Sequence, residues 1–114
     1  MMYVDFKAGE KEYKLRLNTR NIVTLEKQIG CNALLIFGMD DKNPRVPTTG
    51  EMVAVLHASL QQYQHGITLD MAYEIFDDFI ADGNSPTNFL TVIVDIYRVS
   101  GLMPEVKQGE TEKN

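Results

Sequence analysis

Tryptophan is absent from the 114 residues, and cysteine occurs once, as Cys31. A single thiol excludes an intramolecular disulfide framework and suits a reducing compartment. Cys31 has neither a CxxC partner nor a neighbouring histidine, so it reads as a structural thiol and not as a nucleophile or ligand. No apolar run approaches the roughly 18 residues of a membrane span. No basic stretch followed by an apolar one opens the chain, so no signal peptide is read and a cytosolic setting is expected. The glycines stand singly and build no phosphate loop. The most informative scarcity is of positive charge. From Val46 to Tyr97 there is no Lys or Arg, against the seven acids Glu51, Asp70, Glu74, Asp77, Asp78, Asp82 and Asp95. Residues 1–45 instead hold eight Lys/Arg against six Asp/Glu. Such an acidic half disfavours nucleic-acid phosphate as a ligand.

What is present is a hydrophobic fraction of 44%, ordinary for a globular chain. The pattern predicts a mainly α (α+β) fold, an N-terminal β-hairpin packed on a bundle of about four to five helices. Residues 1–103 are expected to form one helical domain, with 104–114 a disordered polar tail. The organising stretch is Glu51 to Asp82, two helices joined by a turn at His65-Gly66. Met52, Val53, Leu56, Leu60 and Tyr63 make the apolar stripe of the first, with Thr48 or Thr49 as its cap and Gly66 beyond its end. Val55, Ala58 and Gln62 then form a second, weakly polar face, either solvated or open to a partner. Thr68 caps the next helix, whose stripe is Leu69, Ala72, Ile75, Phe76, Phe79 and Ile80.

Met2 to Leu17 alternates as a hairpin, and its exposed edge is one candidate interface. Asn18 or Thr19 caps a helix that runs to Ile29 and stops at Gly30; Asn32 caps a short segment, Ala33 to Phe37. A charged, proline-punctuated loop covers Met39 to Thr49. Ser85-Pro86 opens a last helix whose apolar residues go nearly all the way round, which marks it as central or as packed on both sides. Gly101 ends it, with Leu102 placed for a Schellman-type cap.

Candidate chemistry is thin. Glu74, Asp77, Asp78 and Asp82 share one helix without a facing carboxylate or histidine pair, so they read as a solvated acidic face and not as a metal site. His57 and His65, eight residues apart, would lie about 12 Å from each other on one helix, too far to share a zinc ion. No nucleophile, base and oxyanion-donor set is present, and the reading calls for no cofactor and no enzyme. Association remains. The basic residues Lys14, Arg16, Arg20 and Lys27 complement Glu74, Asp77, Asp78 and Asp82, and unlike patches that meet between neighbours generate rings or filaments. The alternative is that both sets merely face water.

Two blocks of sequence carry a resemblance: YKLRLNTRNIVTLEKQIGCNAL, then VLHASLQQYQHGITLDMAYEIFDDFI, closed by an apolar helix ending VSGLM. The matching positions are Leu15, Leu17, Thr19, Arg20, Leu25, Glu26, Gly30, Asn32 and Leu34, and then Leu56, Leu60, Tyr63, Gly66, Ile67, Ala72, Tyr73, Asp77 and Gly101. Over residues 2–103 the chain resembles the tail assembly chaperones of long-tailed bacteriophages and prophages of Gram-positive bacteria. It departs in having Asn32-Ala33 where such proteins often continue Asn-Pro. The resemblance implies a non-catalytic, self-associating protein of the bacterial host cytoplasm. It would coat the tape measure protein and keep it soluble, recruit tail tube protein, and be absent from the mature virion. It also implies that a frameshift-extended form is possible at the C-terminus. A helical client of that kind would lie against Val55 and Ala58, or against Leu90, Val94 and Tyr97 on the last helix. Neither nucleic acid nor membrane is expected as a partner. The competing reading is an acidic inhibitor that mimics nucleic acid and occupies a basic groove, motivated by the Lys/Arg-free stretch.

Overall fold

Val4, Phe6 and Ala8 alternate with Asp5 and Lys7, and this two-residue period makes β1 (Val4–Ala8), which pairs antiparallel with β2 (Lys11–Leu15). The register runs from Val4 opposite Leu15 to Ala8 opposite Lys11. Gly9 occupies the first central position of the two-residue turn with φ 64°, where a side chain would be strained. The computed structural model describes residues 2–38 and 42–104. The expected tail lies outside those residues, apart from Pro104, as does part of the charged loop.

Four helices follow the hairpin: α1 (Thr19–Ile29), α2 (Thr49–Leu60), α3 (Leu69–Ala81) and α4 (Pro86–Val99). Their ends lie where side-chain chemistry satisfies the free backbone groups. Asn18 Oδ1 accepts the Asn21 N–H at 2.9 Å to open α1, and Gly30, at φ 77°, closes it through its N–H to the Glu26 carbonyl. Glu26 then reaches forward to accept the Ala33 N–H at 2.9 Å, which turns the chain into a 3-10 segment, Ala33–Phe37. Thr68 caps α3 by accepting the Met71 N–H at 3.1 Å. Beyond α4 the Leu102 N–H donates to the Tyr97 carbonyl at 2.8 Å and the Gly101 N–H to Arg98 at 3.2 Å, the paired bonds of a Schellman cap.

The centre of the molecule is α2. Met52, Val53, Ala54, Val55, Leu56, Ala58, Ser59 and Leu60 are all buried, because α1, α3, α4 and β2 cover the helix from different sides. This corrects two expectations. Val55 (0% exposed) and Ala58 (1%) form no second face; they are as deep in the interior as the stripe itself. The last helix is not the central one either: α4 buries Phe89, Ile93, Ile96 and Tyr97 and leaves Thr91 and Asp95 exposed.

The end of α2 also differs from expectation. The helix stops at Leu60, not near His65: the Gln61 N–H turns to the Ala58 carbonyl and leaves His57 to a side-chain donor, while the Leu60 carbonyl takes both the backbone N–H and the side chain of Gln64. Gln61 Nε2 donates to the carbonyls of His57 and Ile67, both at 2.8 Å, and Gln64 Nε2 donates to Leu60 at 2.8 Å. The same Gln64 amide meets the backbone of Lys14, accepting its N–H at 2.8 Å and donating to its carbonyl at 2.9 Å. A side chain from the helical body thus acts as a third-strand residue for β2. Ser59 adds to this by accepting the Arg16 N–H on its carbonyl at 3.0 Å.

Packing of the hairpin onto α3 and α4 is aromatic. Phe6 lies 5.1 Å from Phe79 and 5.7 Å from Phe89, and Phe76 lies 5.3 Å from Phe89, mostly in edge-to-face geometry. Tyr97 fills the opposite end of α4, where its hydroxyl donates to the Ala33 carbonyl at 2.8 Å and edges against Phe37 at 6.0 Å. Two substitutions separate these contributions. Phe89→Ala should cost about 3–5 kcal/mol of unfolding free energy. Tyr97→Phe keeps the ring and should cost only about 0.5–1.5 kcal/mol for the lost bond. Urea unfolding of the two variants checks the order; equal losses would mean that the aromatic cluster does not anchor the hairpin.

Candidate interaction surfaces

The surface is best read from what the interior leaves out. Val23 on α1 is 46% exposed and lies one turn from both Arg20 and Lys27, also exposed, so an apolar side chain sits between two cations. Met71 and Tyr73 on α3 are 39% and 48% exposed. Between the hairpin and α3 runs a groove of about 460 Å³, floored by Ile67, Met71 and Ile75 and edged by Glu10, Lys11, Glu74 and Asp78. Sequence periodicity did not single out Val23 or Met71, since each falls just off its helix's buried stripe. The signal that locates Val23 is its spacing from the two flanking cations.

The eight charged residues expected at a contact between copies are divided by the fold. Lys14 and Arg16 are partly taken up within the hairpin. The Lys14 ammonium stands 4.9 Å from the centre of the Tyr3 ring, and Arg16 Nη1 donates to the Met2 carbonyl at 2.8 Å. Asp82 is engaged too: its Oδ2 accepts the Gly9 N–H at 2.8 Å and ties the hairpin turn to the end of α3. Asp78 borders the same turn, and burial, then the Asp78 charge, pushes the Tyr13 hydroxyl above its ordinary value. Arg20, Lys27, Glu74 and Asp77 remain exposed. Among the described residues no salt bridge joins the basic set to the acidic one.

Of the five positions expected to meet a client, three are interior. Val55 and Ala58 are enclosed by the neighbours of α2, and Tyr97 is 0% exposed with its hydroxyl bonded to Ala33, so none of them presents a surface. Leu90 and Val94, one turn apart on α4, are half-buried and do reach the outside.

The strongest local electrostatics hold the loop before α2 in place. Arg45 forks onto Glu51, Nη1 to Oε1 and Nη2 to Oε2 at 2.9 Å each, and Nη1 also donates to the Ile36 carbonyl at 2.7 Å. Glu51 Oε1 accepts the Thr48 N–H at 2.9 Å while Thr48 Oγ1 accepts the Glu51 N–H at 3.1 Å, a reciprocal capping box. The Arg45 bonds, opposed by partial burial, hold the Glu51 carboxyl below its ordinary value. Gly38, at φ 113°, lets the chain fold back here, since a Cβ would collide with the Asn43 carbonyl. This cluster is structural: among the described residues no group of His, Cys, Asp and Glu is arranged to hold a metal ion, and no helix is long and apolar enough to cross a membrane.

Taken together, the architecture is α+β, a two-stranded hairpin laid on a four-helix body with a central buried helix. The chain belongs to a family of unknown function, DUF6096, whose profile matches residues 4–114. No curated protein and no solved structure matches it.

The Glu51 arrangement has a defined pH signature. Because the folded carboxyl titrates below its unfolded value, its stabilisation is in force above the ordinary carboxylate range and is lost as pH falls through the folded value. Glu51→Gln should therefore be less stable than the parent at pH 7, with the gap closing as pH falls from about 5 toward 3. Urea midpoints across that range test it; a gap that stays constant would show that the Arg45 fork contributes nothing through charge.

Proposed function

We propose that this protein is a non-catalytic tail assembly chaperone of a long-tailed bacteriophage or prophage. In this reading it self-associates, binds and solubilises the tape measure protein, and helps recruit tail tube protein in the cytoplasm of a bacterial host. The observation that supports it is the make-up of the free surface. Apolar side chains reach the surface beside charge: Val23 between Arg20 and Lys27, with Glu26 next to it, and the Ile67–Met71 groove among Glu10, Lys11, Glu74 and Asp78. Such a surface suits a long amphipathic helix, which places apolar anchors in a groove and is steered by charges at its rim. It also suits weak, repeated contacts along an extended client better than one tight pocket.

Self-association by charge narrows to the outward groups. Arg20 and Lys27 on α1 and Glu74 and Asp77 on α3 lie on helices that flank α2, so a contact between them joins unlike faces and propagates. The competing reading, an acidic mimic of nucleic acid, draws on the Lys/Arg-free stretch. It is weakened because Asp82 is bonded to Gly9 and Glu51 to Arg45, which takes two of the seven acids out of any imitation of a phosphate row.

Co-expression with the tape measure protein of the same phage should bring that protein into the soluble fraction and into a shared peak on gel filtration. Met71→Asp, at an exposed groove position, should reduce the co-purified amount at least several-fold without unfolding the chain. Absence of both rescue and co-purification with the unaltered protein would defeat the chaperone reading, and capture of a DNA-binding protein in its place would favour the mimic.

A further inference from the structure

The two edges of the hairpin are treated differently by the fold. Lys14 sends both its N–H and its C=O to the Gln64 side chain, so its backbone groups point away from β1. In an antiparallel ladder a residue and the one directly opposite it share this orientation, and Lys14 stands opposite Asp5. The alternation therefore turns the backbone groups of Asp5 and Lys7 outward along the free edge of β1. Gln64 and the Ser59 carbonyl close the open-end half of the β2 edge, whereas among the described residues no group bonds the outward backbone of Asp5 or Lys7.

We propose that β1 pairs antiparallel with β1 of a second copy of this chain, across a two-fold axis at Phe6. The register follows from parity and charge. Only residues with outward backbone can oppose one another as hydrogen-bonded pairs, which leaves three symmetric choices centred on Asp5, Phe6 or Lys7. Centring on Asp5 or on Lys7 sets like charges face to face. Centring on Phe6 sets Asp5 of each copy against Lys7 of the other, on the exposed face, with Cα atoms about 5.5 Å apart. Each such pair exchanges both of its main-chain hydrogen bonds. The buried-face residues Val4, Phe6 and Ala8 of both copies then line one side of a continuous four-stranded sheet, over two helical bodies. An edge carrying this self-complementary Asp-x-Lys pattern, bordered at its Lys7–Gly9 end by Asp82 and Asn84, fits another copy of itself better than a strand of arbitrary sequence. The contact is isologous and separate from any contact between α1 and α3, so it stands whatever client the protein carries.

A dilution series by sedimentation velocity at low salt tests it. The unaltered chain should show a reversible monomer–dimer equilibrium. Lys7→Asp and Asp5→Lys each place like charges opposite at both pairs and should weaken the dimer roughly tenfold. The double variant D5K/K7D restores opposite charges in the same register and should recover the dimer. Asp95→Asn, at an exposed position on α4 outside both proposed contacts, should leave this equilibrium unmoved. Circular dichroism confirms that each variant is folded, both positions being exposed and outside the core. A chain that stays monomeric at every concentration, single reversals without effect, or a folded double swap that fails to recover the dimer would each overturn the proposal.

Discussion

The rest of the structure depends on covering α2 from every side. From Met52 to Gln64 the chain has no Asp, Glu, Lys or Arg, and every helical residue from Met52 to Leu60 except His57 is buried. At roughly 1.5–3 kcal/mol for each fully buried large apolar side chain, this helix is the largest single source of cohesion, though conformational entropy offsets most of any such sum. Its demand for cover dictates the arrangement: α1 and α3 to its flanks, α4 and β2 against the remainder. The buried polar residue in this run, Ser59, is accommodated by bonding the Leu56 carbonyl at 3.0 Å, while its own carbonyl is used to hold Arg16. The central helix thereby orders the hairpin through hydrogen bonds as well as through apolar contact.

Much of the fold was legible because its boundaries are written in local chemistry. Asn18, Asn32, Thr68 and the Gly101-Leu102 pair each act within a few residues of where they stand, so spacing alone locates them. Hairpin alternation is equally local. The relative roles of α2 and α4 were less accessible. A stripe with a 3.6-residue period identifies a helix with one buried face, but a helix covered all round has no preferred face to detect. Val55 and Ala58 therefore resembled a spare surface when they were the far wall of the core. The glutamines escape sequence reading for a related reason. Gln61 stands in for a backbone donor to His57, and Gln64 bonds both backbone groups of Lys14, a partner fifty residues away in sequence. Nothing local announces such a pairing.

The charge asymmetry also acquires a partly internal explanation. One portion of the Lys/Arg-free stretch is the buried helix, where any charge would be costly. Another is α3, where Asp82 accepts a backbone N–H from the hairpin turn and Asp78 stands beside it. An acidic side chain is well matched to that task, since a carboxylate bonds an amide more strongly than a neutral acceptor does. Glu51 belongs to the same class: its charge is answered by Arg45 and by the cap of its own helix. Of the seven acids in the Lys/Arg-free stretch, Asp82 and Glu51 are thus spent on holding the chain together.

Among the described residues, what is left outward is short of partners in two distinct ways, and the difference separates the two contacts proposed above. The α1 and α3 surfaces offer side chains, whose charges are satisfied by water and can meet many sequences at low cost in specificity. The β1 edge offers backbone groups in a fixed spacing, satisfied well only by another extended strand in a compatible register. A contact of the first kind propagates between unlike faces and tolerates variation; a contact of the second kind closes on itself and is exacting. The proposed chaperone role would draw on both properties at once: a closed unit of defined composition, and adjustable surfaces on which such units could follow a client's length.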